Sequence, residues 1–387
     1  MGQSLRSTGG PVAAIVACAL ALAPGATAQN DLAAAIQAKV TALLTEAHIP
    51  GITATVTMPD GRVFDAAAGW ADDAQTVPVT TASRMPAGSV GKTFVAAAIL
   101  RAVDAGRLDL DAKISGWVGH EPWLPRVPNH ADLTLRHLLQ HRSGLPDAQA
   151  SRGFIDAIAN HLDRTWTPAD LIAFVFDKKP RFRAGAKHFY TDMNYIVAGA
   201  VYEKVMGTPL FRAIENELLA PNQLSDTIAQ DRRDWRGVVP GLMEPDAVRW
   251  FDHRWSMADG RPVYAAQAEY GGGGLISTSH DLARWARELY EGRVFSAARL
   301  EEMLNALPSG EGERYGLGVT ILPSGAGPVY GHDGSMFGYQ TVMLYFAKDR
   351  VSVAVQINAD LMKPQKVGPG SLTGQIVGIA IRSLQGK

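Results

Sequence analysis

A serine followed three residues later by a lysine, Ser89 and Lys92, stands in Pro86-Ala87-Gly88-Ser89-Val90-Gly91-Lys92-Thr93, ahead of an apolar segment from Phe94 to Ala105 that Gly106 ends. Two chemistries compete for this stretch. Gly91-Lys92-Thr93 matches the end of a phosphate-cradling G-x-x-x-x-G-K-[ST] loop. Pro86, however, occupies the place of its first glycine and offers no backbone N–H to a phosphate. The second chemistry is S-x-x-K, a nucleophilic hydroxyl at a helix N-terminus with an amine one turn behind it. A lone S-x-x-K arises readily by chance, and a plain N-cap serine is the bland alternative. A capping box would want Glu or Gln where this helix has Lys92. At about 100° per residue Lys92 shares a stripe with Ala96, Ile99 and Val103, while Arg101 points the opposite way, so Lys92 is expected to face the core. Desolvation there would lower its pKa and favour the neutral amine that accepts the Ser89 proton. The helix N-terminus would stabilise charge developing on a bound substrate.

These side chains need a scaffold, and 387 residues, 47% of them hydrophobic, suffice for one large domain or two lobes sharing a core. Leu32 to Ala47 reads as an amphipathic helix, and Ile52 to Met58 with Arg62 to Ala68, joined by Asp60-Gly61, reads as a hairpin. From Thr93 to about Tyr290 the pattern is mostly helical, clearest in Leu133–Gln140, Pro168–Phe176, Asn194–Met206 and Asp281–Glu291. Strands return in Tyr315–Leu322, Gln340–Phe346 and Val351–Ile357, before a last helix from about Leu372 to Leu384. The expected class is α+β, with one lobe built from residues 29–105 and 290–387 and a helical lobe, 106–289, inserted between them.

Arg6, the apolar run Val12 to Ala23 and Ala26-Thr27-Ala28 read as a signal peptide (1–28) cleaved near Ala28, giving an exported, periplasmic or secreted protein; a lipid anchor at Cys18 is the alternative. Cys18 is the only cysteine, so cleavage would leave no disulfide, cysteine nucleophile or thiolate metal site. No later apolar run reaches the length needed to span a bilayer. Cleavage removes Arg6, leaving 36 basic against 38 acidic residues, a net charge of −2 and no basic face for nucleic acid.

Further motifs downstream make the chain resemble a known family: the class C serine β-lactamases, the related D-Ala-D-Ala carboxypeptidases, and their esterase and D-aminopeptidase relatives. The resemblance runs from about Pro50 to Ile381. Leu133-Thr134-Leu135-Arg136-His137-Leu138-Leu139-Gln140-His141-Arg142-Ser143-Gly144-Leu145 is similar to the family's T-x-x-x-L-L-x-H-x-S-G-L signature. Gly272-Gly273-Gly274-Leu275-Ile276-Ser277-Thr278 with Asp281-Leu282 resembles its G-G-L-x-S-T-x-x-D-L segment. The resemblance implies a β-lactamase/transpeptidase-like fold, an antiparallel sheet flanked by terminal helices with the helical lobe inserted. It implies an acyl-enzyme on Ser89, a small-molecule or peptide substrate, and no metal or organic cofactor; the oligomeric state is left open.

By the same resemblance, Tyr190-Thr191-Asp192 stands at the family's Y-x-N motif, making Tyr190 the acid/base that shares a proton with Lys92. Asp192 replaces the usual asparagine. Either it caps the helix that follows, or it points into the site, pairs with Lys92 and holds it protonated, passing the base role to Tyr190. His332-Asp333-Gly334 stands at the K-T-G or H-T-G position. Read locally, Asp-Gly is a favoured hairpin turn. Read with the family, Gly334 lets substrate lie along a strand, the N–H groups of Ser89 and Ser335 form the oxyanion hole, and His332 assists proton transfer or orients Tyr190. A carboxylate at Asp333 would oppose a substrate's own carboxylate, which favours ester, amide or amine-terminated substrates. The leading expectation is hydrolysis of peptide-like amides, especially of D-amino acids; a carboxylesterase and a non-catalytic penicillin- or peptidoglycan-binding protein are the alternatives.

Other candidates have bland readings. His137 and His141, i and i+4 on an expected helix, suit a metal pair but lack a third ligand, and structural hydrogen bonding is preferred. Gly271 to Gly274 reads as close backbone packing beside the site. Trp250, Phe251 and Trp255 either wall the cleft or pack in the helical lobe.

Overall fold

The computed structural model describes residues 24–385 except 150, 236, 311, 326 and 361–368. Residues 1–23, which carry Cys18 and most of the expected leader, lie outside the described residues. Helix α1 (Pro24–Glu46) starts within the expected leader, with proline in the first turn, where its missing N–H costs nothing. Among the described residues no helix is long and apolar enough to cross a membrane.

The Asp60-Gly61 hairpin forms as expected, as β1 (Gly51–Thr57) and β2 (Val63–Gly69). Six more strands come from the C-terminal part: β3 (Leu307–Pro308), β4 (Arg314–Tyr315), β5 (Thr320–Leu322), β6 (Val329–Met336), β7 (Tyr339–Phe346) and β8 (Val351–Ile357). All eight join one antiparallel sheet in the order β2-β1-β8-β7-β6-β5-β4-β3. The first strand pairs with the last, Ile52 opposite Ile357, so distant parts of the chain close the sheet.

One face is covered by α1 and the C-terminal helix α5 (Pro369–Leu384). Leu32, Ile36, Val40 and Leu43, at helical spacing, are buried there with Val353, Val355 and Ile357. The other face carries α4 (Ser279–Tyr290), which packs on β1 and β8 although it falls within the stretch assigned to the helical lobe. Beyond it lie α2 (Gly91–Asp104), α3 (Met193–Met206) and shorter helices in one large core.

Two local expectations are corrected. Helix α2 has no single buried stripe: residues 91–100 and 102 are all buried, because α2 is the central helix and neighbours surround it. Nor is Asp333-Gly334 a hairpin turn. Both lie inside β6, paired with Val342 and Thr341, and the chain reverses two residues after Ser335, at Phe337-Gly338, where Gly338 takes φ 88°.

Candidate active site

Ser89 sits in a short 3-10 turn, Gly88–Val90, that runs directly into α2. Two neighbours hold this turn. On one side, Met85–Pro86 pairs with the strand Leu275–Ser277, which brings the Gly271–Gly274 run against the start of α2. The packing is as close as the glycines suggested, since a Cβ on Gly91 would lie 2.0 Å from the Gly273 carbonyl oxygen. On the other side lies β6. A Cβ on Gly334 would lie 2.0 Å from the Ala87 carbonyl oxygen and 2.9 Å from the Ser89 nitrogen. The side-chain position of Gly334 is thus filled by the nucleophile's own loop rather than kept open for substrate, and it sets the backbone of Ser89 beside that of Gly334 and Ser335.

Lys92 is fully buried and donates to Ser89 Oγ at 2.8 Å. Its Nζ also bonds the Gly272 carbonyl and lies 2.5 Å from Asp192 Oδ1. These partners correct the neutral-amine expectation. Burial alone would lower the Lys92 pKa, but the Asp192 carboxylate and the Tyr190 phenol outweigh it and raise the pKa above the ordinary lysine value. Lys92 is thereby favoured in its charged form, which donates to Ser89 Oγ. Asp192 makes no cap hydrogen bond at the start of α3, which excludes the capping role. Thr93 is turned away as well, its hydroxyl accepting from Trp285 Nε1 at 2.8 Å, so neither side chain of Lys92-Thr93 is free for a phosphate.

Tyr190 completes the cluster, with its ring centroid 4.9 Å from Lys92 Nζ and its hydroxyl in reach of both Lys92 and Ser89. The residue is 38% exposed, but its hydroxyl end is desolvated, and this with the Asp192 charge pushes its pKa up to about 12 against the opposing pull of Lys92. His332 lies near by, ring centroids 6.1 Å apart, with different partners. Its Nδ1–H donates to the Asp333 carbonyl at 2.5 Å, so Nε2 accepts from the Tyr315 hydroxyl at 2.8 Å. Burial and the Lys92 charge depress its pKa, leaving a neutral ring.

Two hollows meet at Ser335. One, of about 410 Å³, is lined by Ser89, Tyr190, His332 and Gly334, with Asp333 and Glu313 facing it. The other, of about 190 Å³, is walled by Phe154, Ile158 and Phe337 and carries Asp192, Glu244, Glu269 and Asp360. Six carboxylates and no lysine or arginine appear among these described lining residues. Burial pushes Glu269 up to about 7, with the Asp192 charge adding to it, and Asp360 up to about 6. A larger cavity of about 580 Å³, around Arg164, Arg232 and Arg261, shares none of the site residues.

Sequence reasoning missed Glu269 and Tyr315, which carry no local signal; it placed the Gly271–Gly274 run beside the site but did not foresee the Gly272 carbonyl accepting from Lys92. The helix with His137 stops at Leu139, and His141 follows at φ 54°, so the two histidines are not a pair on one helix. None of Trp250, Phe251 and Trp255 lines either hollow; Phe251 is buried behind Phe337, ring centroids 4.8 Å apart.

Residues 36–369 match the sequence model of the family described as Beta-lactamase. Penicillin-binding protein 4* of Bacillus subtilis is 24% identical over 305 residues, which span 76% of this chain and 64% of that relative, somewhat under two thirds of its length. A D-stereospecific amidohydrolase from Streptomyces sp. is 26% identical with a TM-score of 0.71, covering 85% of this chain and 94% of that one. The D-amino acid amidase of Ochrobactrum anthropi SV3, 22% identical, has the same fold, with a TM-score of 0.76 over 92% of this chain and all of that one. With the match spanning most of its length, this chain belongs to the family described as Beta-lactamase.

Proposed function

We propose that the protein is an exported amide hydrolase acting through an acyl-enzyme on Ser89, with neutral or amine-bearing substrates, D-amino acid amides foremost. The observation that carries this reading is the Ser89–Lys92–Asp192–Tyr190 cluster. An ammonium held by Asp192 donates to the nucleophile, so the group left to take the Ser89 proton is the ionised form of Tyr190. Ser89 Oγ attacks the amide carbon, its proton passes to the Tyr190 oxygen, and the oxyanion is held by the N–H groups of Ser89 and Ser335. The C–N bond then breaks as Tyr190 returns the proton to the leaving nitrogen. Water repeats the sequence on the ester, releasing the acid and restoring Ser89.

Substrate charge follows from the carboxylates around Ser335 other than Asp192, which faces Lys92, and Glu269, which burial keeps protonated to about pH 7: beside Asp333 and Glu313 a substrate carboxylate meets repulsion, whereas an ammonium finds counter-charge. The amidase and amidohydrolase neighbours agree with this chemistry. The test is a panel of D-amino-acid p-nitroanilides, p-nitrophenyl esters, a chromogenic cephalosporin and a fluorescent penicillin, each run beside Ser89→Ala. Turnover of the anilides that is lost in Ser89→Ala is expected. Ester turnover alone would make the protein a carboxylesterase, and penicillin labelling without any turnover would make it a binding protein.

A further inference from the structure

We infer that His141 is a positioning residue for Tyr190, gripping the chain on both sides of it and backing its ring. The inference rests on Tyr190 being the acid/base proposed above. Three contacts carry it. The Phe189 N–H donates to the His141 carbonyl at 2.8 Å, and the Thr191 N–H reaches His141 Nδ1 at 3.4 Å, so the residues before and after Tyr190 are both tied to His141. The imidazole itself lies against the Tyr190 ring, centroids 4.1 Å apart and planes inclined by 32°. The left-handed backbone of His141 turns its carbonyl and its ring toward the same short segment.

The imidazole is locked in turn. Ser143 Oγ donates to Asn194 Oδ1, which leaves Asn194 Nδ2 to donate to His141 Nδ1 at 2.9 Å. With Nδ1 accepting, the ring proton sits on Nε2, which is buried and meets no acceptor among the described residues. The groups facing the ring are His188, Tyr190, Tyr195 and Tyr315, with Lys92 and His332 close by. Burial and the Lys92 charge hold its pKa well below the usual histidine value, so a neutral ring backs Tyr190.

The test compares His141→Gln, which keeps an acceptor but loses the ring, with His141→Phe, which keeps the ring but loses the acceptor. Each is also made in a Tyr190→Phe background, and rates are scaled to the folded fraction measured by thermal melting. Misplacing Tyr190 is expected to lower kcat by about 100-fold in at least one variant, with KM within a few-fold of the parent. It is also expected to move the alkaline limb of the pH profile, and to add nothing further once Tyr190 is phenylalanine. Unchanged kcat and pH profile in both folded variants would overturn the inference, as would an equal loss in the Tyr190→Phe background, which marks a purely structural role. Full activity in Ser89→Ala or Tyr190→Phe would instead remove the functional reading on which it rests.

Discussion

With Asp192 2.5 Å from its Nζ, Lys92 is held toward its charged form, and on the proposed reading the Ser89 proton goes to Tyr190. Replacing Asp192 by asparagine restores the residue usual at that motif position and removes a negative charge that raises the Tyr190 pKa. Phenolate should then form at lower pH, so the alkaline rise of kcat/KM is expected to move down by about one pH unit in Asp192→Asn. An unmoved profile would mean that Tyr190 is not the base. Glu269 gives a second prediction, read as stability. The folded protein keeps the Glu269 proton to about pH 7, whereas the unfolded chain releases it in the ordinary carboxylate range. Between those limits the unfolded state binds fewer protons, so stability falls as pH rises. Glu269→Gln lacks that titration, and from pH 4 to pH 8 it is expected to gain about 3 kcal/mol on the parent. Denaturant melts at the two pH values check this, and parallel pH dependences would contradict it. Ser89 and Lys92 were legible because three residues and a helix start join them. Glu269 was not, and the glycine run was legible only as packing and not as the acceptor for Lys92, since both arrive from about 180 residues downstream by the strand pairing of Met85 with Ser277.

Among the elements, those with strong local periodicity were legible in the sequence: the Asp60-Gly61 hairpin, α1, α3, β8 and α5. Strand β6 was not, because Gly331, Asp333 and Gly334 interrupt its alternation and mimic a turn. What keeps it a strand is tertiary: β7 on one side, β5 on the other, and the nucleophile loop against Gly334. That contact has a direct test. A methyl group at residue 334 would collide with the Ala87 carbonyl, so Gly334→Ala is expected to cost about 2–3 kcal/mol and to displace Ser89 from Ser335. Thermal melting and acylation rate together check it, and a stable, fully active variant would contradict the packing. Helix α2 failed differently, since the stripe argument placed Lys92 correctly on the inside although residues 91–100, on every side of the helix, are inside too.

For the molecule as a whole, the sheet is closed by strands from both parts of the chain, and the site forms where β6, α2 and the start of α3 converge. Its lining carries carboxylates on both sides of Ser335, although the net charge of the chain is only −1. Free-amine substrates should therefore outpace their N-succinylated counterparts by about tenfold or more in kcat/KM, with the ratio shrinking at high salt. Equal rates at low salt would contradict this. The central claim, that chemistry runs through Ser89, is tested most directly by intact-mass and peptide-mapping mass spectrometry after brief exposure to an acylating p-nitrophenyl ester or penicillin. The account predicts one acyl group per chain, on the peptide containing Ser89, and none in Ser89→Ala. An adduct on another residue, or persisting in Ser89→Ala, would contradict it.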